Sequence, residues 1–156
     1  MNHLLPIEKR DSVLTRMAEL LEPERTNIKT INQQDIINYS GDDLAMEKRL
    51  LVDDPKIDGM ILSLQQLASQ EDPIGVERFN FDHANGRKII NKTAAFGTIM
   101  IIYESRPDVT VEAGGIAFKS GNKILLKGGK ESLLSNLKIV ELWHQALNDN
   151  NIPTEW

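Results

Sequence analysis

The chain has 156 residues, 23 acidic against 18 basic, for a formal charge of -5, and it has no cysteine. That length fits one domain or a large piece of a bigger one. The acidic balance excludes a broad electrostatic grip on nucleic acid, the 5% aromatic content offers no stacking platform for single strands, and no run approaches the about 20 apolar residues of a membrane span.

Without cysteine the chain itself has no disulfide, thiolate metal site or thiol nucleophile. Its start, Met1-Asn2-His3-Leu4-Leu5-Pro6, has neither the charged opening nor the long apolar run of a secretory signal, so the expected location is cytoplasmic.

In chain order, Val13, Leu14, Met17, Ala18 and Leu21 fall at helical spacing and predict an amphipathic helix over 7–22. Pro23 suits the first turn of a second helix carrying Ile28, Ile31 and Ile36. Ser40-Gly41-Asp42-Asp43 breaks the pattern ahead of a short helix. Asp53-Asp54-Pro55 then opens a helix with Ile57, Met60, Ile61, Leu64, Leu67 and Ala68 on one face, ended by Asp72-Pro73-Ile74-Gly75.

Val76–Asp82 and Arg87–Thr93 are short and β-leaning. They flank Ala84-Asn85-Gly86, whose Asn-Gly pair predicts a hairpin because both residues tolerate positive φ. Gly97–Tyr103 is almost continuously apolar, as in a strand buried on both faces of a parallel sheet. A helix is expected over Val109–Lys119, a stop at Ser120-Gly121-Asn122, a second buried strand over Lys123–Lys127, and a long helix from about Glu131 to Asn148. Strand, helix, strand, helix makes a parallel βαβα unit, so the class is α/β and Rossmann-like. Three regions follow: helical 1–75, a β-hairpin over 76–95, and the first part of an incomplete α/β domain over 96–156.

Two segments carry chemistry. In Lys127-Gly128-Gly129-Lys130-Glu131 a strand delivers a glycine pair to a helix start between two lysines. Free amides, the helix dipole and lysine point charges favour a phosphate or nucleotide; the alternative is a plain strand–helix turn with solvated lysines. The segment is neither a G-x-G-x-x-G fingerprint nor a P-loop. Tyr103-Glu104-Ser105-Arg106 lies at the C-terminal end of the first buried strand, where open α/β sheets bind ligands. Arg106 beside Ser105 suits an anion; alternatively Ser105 or Asp108 merely caps the next helix.

His3 and His83 read as solvent-exposed, His144 as half-buried on the face of Leu137 and Val140, and the histidines have no metal-ligand spacing. Asp42-Asp43 and Asp53-Asp54 read as loop and cap residues.

Gly97–Ala113, centred on Tyr103-Glu104-Ser105-Arg106-Pro107, resembles a signature of γ-glutamyl phosphate reductases. Lys119–Asn122 with Ile124–Glu131 is similar to a second segment of that family. Weaker matches lie at Asn32–Asp35, Arg49–Leu51 and Asp72–Gly75. The resemblance implies an aldehyde dehydrogenase-like fold, of which this is the N-terminal portion. It also implies NADPH-dependent reduction of L-glutamate 5-phosphate to the 5-semialdehyde in proline biosynthesis.

In the family a cysteine attacks the acyl phosphate, so the present chain would supply no catalytic residue and be inactive alone. The resemblance further implies that Lys127, Gly128, Gly129 and Lys130 face the adenosine side of NADPH/NADP. Lys130 would select NADP where NAD-preferring relatives carry a glutamate. Tyr103, Glu104, Ser105 and Arg106 would face the substrate, and residues 76–93 would serve a homo-oligomer. Asp108 and Lys127 depart from the family's usual asparagine and arginine. The competing reading is a non-catalytic nucleotide-binding or interaction protein derived from that fold.

Overall fold

The computed structural model describes residues 4–156, so His3 lies outside it. Four helices come first: α1 (Ile7–Leu21), α2 (Arg25–Asn38), α3 (Leu44–Leu50) and α4 (Asp54–Ser69). The helical period buries Val13, Leu14, Met17, Ala18 and Leu21 of α1 against Ile57, Met60 and Leu64 of α4. Asp43 accepts from Ala45 N at 2.8 Å and Asp53 from Lys56 N at 3.0 Å, so each acidic pair supplies a helix cap. Pro23 does not enter α2; it sits in the turn before Arg25. On α2 the buried positions are Ile28, Asn32 and Asp35, while Ile31 and Ile36 are only half-buried.

The hairpin joins β1 (Glu77–Asp82) to β2 (Lys88–Lys92), antiparallel, with every residue of both strands exposed. Its turn differs from the two-residue form that an Asn-Gly pair favours. His83 N donates to Arg87 O and Gly86 N to His83 O, closing a three-residue loop in which Gly86 alone has positive φ (81°). The turn thus places one left-handed residue, a glycine, after an ordinary turn.

The remainder is a parallel pair with its crossover: β3 (Thr98–Ile102), α5 (Pro107–Lys119), β4 (Lys123–Lys127), a short 3-10 turn at Lys130–Ser132, and α6 (Leu133–Asp149). Thr98 pairs with Lys123 and Ile102 with Lys127 in unbroken register. Gly121, at φ 73°, ends α5, and Asn122 Oδ1 accepts from Gly97 N at 3.1 Å, tying the two strand starts together.

Helices α5 and α6 complete the core with Val111, Phe118, Ile139, Leu142 and Trp143. The long helix begins later than the sequence predicts because the 3-10 turn intervenes. The expectation that both strands are buried on both faces fails. Helices cover one face only, and Met100, Ile102 and Leu125 on the other are 56%, 68% and 58% exposed. Among the described residues no helix is long and apolar enough to cross a membrane.

Candidate functional site

The parallel register brings the two segments singled out in the sequence to the same end of the sheet. Tyr103 N donates to Lys127 O at 3.1 Å, carrying the ladder one step beyond the strands. Just past it, Ser105 is buried and its Oγ donates to Glu131 Oε2 at 3.0 Å. The Tyr103–Arg106 and Lys127–Glu131 loops are therefore one structure.

A directed chain of hydrogen bonds fixes it. The Tyr103 hydroxyl meets Thr110 Oγ1 at 2.7 Å, Thr110 donates to Asn136 Oδ1 at 2.9 Å, Asn136 Nδ2 donates to Ser132 Oγ at 2.9 Å, and Ser132 donates to Gly129 O at 3.3 Å. Since the Thr110 proton points at Asn136, Tyr103 must be the donor to Thr110. Burial pushes the Tyr103 phenol up, only partly offset by Thr110, which keeps it a neutral donor. The Glu131 carboxyl lies below its ordinary range, first because its own backbone N–H bonds it and then through Ser105.

Gly128 and Gly129 have negative or ordinary φ, so their need is for space. A Cβ on Gly128 would overlap Asn136 Nδ2 and lie 3.2 Å from the Tyr103 ring. One on Gly129 would lie 2.8 Å from both Ser105 Oγ and Glu131 Oε2. The glycine pair is thus demanded by protein packing before any ligand is considered. Gly128→Ala should break the Asn136 link and destabilise the chain by about 2 kcal/mol, the ordinary scale of overpacking. Chemical denaturation measures this, and a change below about 0.5 kcal/mol would mean the loop yields freely.

The helix that follows does not offer its amides to a ligand. Asp35, buried on α2, accepts from Leu134 N at 3.2 Å, Ser135 N at 2.8 Å and Ser135 Oγ at 2.7 Å. A carboxylate from a hundred residues upstream already satisfies the positive end of α6. This corrects the expectation that the dipole there serves a phosphate. What remains for an anion is side-chain charge: Lys127 and Lys130 are exposed, and neither has a carboxylate within ion-pair distance among the described residues.

The other loop is more engaged. Arg106 is half exposed and pairs with Asp108 at 2.7 Å, a contact that raises the already high guanidinium value. Neither Ser105 nor Asp108 caps α5; Arg106 stands at the N-cap with no side-chain bond to the helix amides, and Pro107 fills the first turn. Glu104 is exposed and faces Arg49 of α3 at 3.7 Å. Arg49, Asp35 and Asn136 were not among the predicted site residues. Asn32-Gln33-Gln34-Asp35 and Arg49-Leu50-Leu51 were visible as weak matches, but their distance in sequence concealed the contact.

His83 and His144 are both exposed, so His144 is less buried than its helical face suggested; it overhangs a cavity of about 200 Å³ beside Trp143. Among the described residues no three His, Cys, Asp or Glu side chains gather into a metal-sized group.

No protein-family model matches the chain. Curated relatives do. It is 36% identical over 96% of its length to the γ-glutamyl phosphate reductase of Shewanella denitrificans, and 38% identical over 92% to that of Persephonella marina. It spans only 36% and 33% of those proteins.

Among solved structures, the γ-glutamyl phosphate reductases of Thermotoga maritima and Saccharomyces cerevisiae match at 34% and 25% identity. Each has a TM-score of 0.89 over 97% of this chain, corresponding to 37% and 40% of theirs. A glyceraldehyde-3-phosphate dehydrogenase of Methanocaldococcus jannaschii, complexed with NADP, shares the fold at TM-score 0.64 and 16% identity. Nearly the whole chain is therefore homologous to about one third of γ-glutamyl phosphate reductases, and it shares its fold with a benzaldehyde dehydrogenase of Corynebacterium glutamicum at TM-score 0.71 and 18% identity.

Proposed function

We propose that the chain is the N-terminal, cofactor-side part of a cytoplasmic γ-glutamyl phosphate reductase. The reaction is NADPH-dependent reduction of L-glutamate 5-phosphate to L-glutamate 5-semialdehyde in proline biosynthesis. The observation that carries this reading is the convergence of Tyr103–Arg106 and Lys127–Glu131 at one end of a parallel sheet, with two cations there that have no ion-pair partner among the described residues.

NADPH suits the residues present at its adenosine end only. Lys127 and Lys130 supply positive charge for a 2′-phosphate, and Gly128 and Gly129 let it approach the backbone. The α6 amides, taken by Asp35, play no part. When bound, NADPH supplies the hydride that reduces the acyl group. Arg106 holds an anionic group of the substrate, either its carboxylate or its phosphate, and Ser105 with Glu131 fixes the loop that presents it. The thiol nucleophile belongs to polypeptide outside this chain, which contains no cysteine, so the chain alone turns over no substrate.

Lys130→Glu tests the cofactor assignment. It is expected to weaken NADPH binding about tenfold or more while leaving NADH unchanged, since one charge-assisted contact to a phosphate is replaced by repulsion. Calorimetric titration of both cofactors reads the ratio, and an unmoved ratio would sink the assignment. Lys130 is exposed and without an ion-pair partner among the described residues, so the substitution leaves the fold intact.

A further inference from the structure

Tyr103 follows β3 directly and meets three successive residues of the lysine-flanked turn by three different means. Its backbone N–H donates to Lys127 O at 3.1 Å. Its ring stands against Gly128, so closely that a Cβ there would lie 3.2 Å from two ring atoms. Its hydroxyl opens the hydrogen-bonded chain that ends on Gly129 O.

The interior of that chain is sealed and unbranched. Thr110, Asn136 and Ser132 are 0%, 8% and 0% exposed. Among the described residues their side chains bond only to members of the chain. Trp143 Nε1 also holds the Thr110 carbonyl at 3.3 Å, which anchors the middle of the path to α6. Buried polar groups with one partner each transmit the position of one to the next. The end point matters because the Gly129 carbonyl lies in the peptide plane shared with Lys130. Glycine is the residue freest to turn at that point, and holding its oxygen holds the backbone from which the exposed Lys130 side chain projects.

We propose that Tyr103 is a positioning residue for the cofactor turn: through Thr110, Asn136 and Ser132 it fixes the Gly129–Lys130 peptide, and with it the direction of the Lys130 charge. The proposal rests on the reading of Lys127–Lys130 as the NADPH turn. It gives a residue of the substrate-side loop a duty toward the cofactor.

Tyr103→Phe tests it, because the ring stays against Gly128 and only the hydroxyl is lost. In the free chain the Ser132 amide donates to the same Gly129 O at 3.4 Å. Its hydrogen exchange should quicken about threefold, while the amides of α1 and α4 stay unchanged. NADPH affinity should fall about fivefold, the worth of one neutral hydrogen bond, with NADH affinity unmoved because it carries no 2′-phosphate for Lys130. Thr110→Val cuts the path one link further on and should weaken NADPH binding at least as much. The two substitutions together should cost little more than Thr110→Val alone, since both act on one path. Equal losses for NADPH and NADH would leave Tyr103 a structural residue only and overturn the proposal. So would additive effects or an unchanged Ser132 amide. An NADPH affinity that Lys130→Glu does not move removes the cofactor reading instead, and the Ser132 exchange then decides the link by itself.

Discussion

Replacing Arg10 by methionine is expected to lower the unfolding free energy by about 4 kcal/mol, the usual scale for removing one partner of a buried ionic contact. Arg10 is only 1% exposed on the first turn of α1. Its guanidinium donates to Leu5 O at 3.0 Å, to Lys119 O at the end of α5, and to Asp72 at 2.7 Å beyond the end of α4. Lys119, 2% exposed, lies beside it and bonds Asp11 at 2.6 Å and Gln70 O at 2.7 Å. Two buried cations thus pin three helices by the carbonyls and carboxylates at their ends, where helix C-termini carry excess negative charge.

Methionine fills the volume but leaves Leu5 O, Lys119 O and Asp72 without their donor. Thermal unfolding should move down by roughly 10 °C for a chain of this size. A shift of 2 °C or less would mean water replaces the guanidinium without loss.

The pair also sets a pH dependence. Burial alone would raise the Asp72 carboxyl, yet hydrogen bonds from Arg10 and Ile74 N bring it below its ordinary value. A depressed carboxyl contributes stability above its unfolded pKa of about 3.9, lost as pH falls through the lower folded value. Asp72→Asn should remove that part of the acid sensitivity.

The second large effect is expected at Asp35. Asp35→Ala leaves the Leu134 and Ser135 amides and the Ser135 hydroxyl unpaired in a buried setting. Three lost bonds, two of them charge-assisted caps, amount to about 3 kcal/mol. The damage should be local. Asn32, which donates to Leu50 O at 2.9 Å and Ser135 Oγ at 3.1 Å, belongs to the same network, so Asp35→Ala and Asn32→Ala should combine less than additively. Hydrogen exchange should quicken first in the opening turn of α6, and uniform loss across the chain would contradict the capping role.

Asp35 also shows where sequence reading stops. A helix face repeats every few residues, so the apolar stripes of α1 and α4 and the span of β4 were legible without coordinates. A cap delivered from Asp35 to Ser135 has no local signature, and neither do cations that turn inward, such as Arg10 and Lys119. Neither had a role assigned to it from the sequence. The glycine pair at 128 and 129 was read as room for a ligand to approach the backbone, and the structure sets Asn136 and Ser105 against it. The apolar pattern at Thr98–Ile102 placed the strand correctly but not its burial: helices cover one face, and Met100 and Ile102 are exposed on the other.

The central claim is that the Lys127–Lys130 loop is the adenosine-side surface for NADPH, with the Tyr103–Arg106 loop beside it presenting Arg106 to the substrate. Titrating the isotope-labelled chain with NADPH while following backbone amide resonances tests it most directly. The account predicts shifts concentrated at Lys127–Lys130, with the opening amides of α6 little changed because Asp35 holds them. Saturating millimolar NADPH that leaves Lys127–Lys130 unmoved, or moves the α6 amides instead, would contradict it.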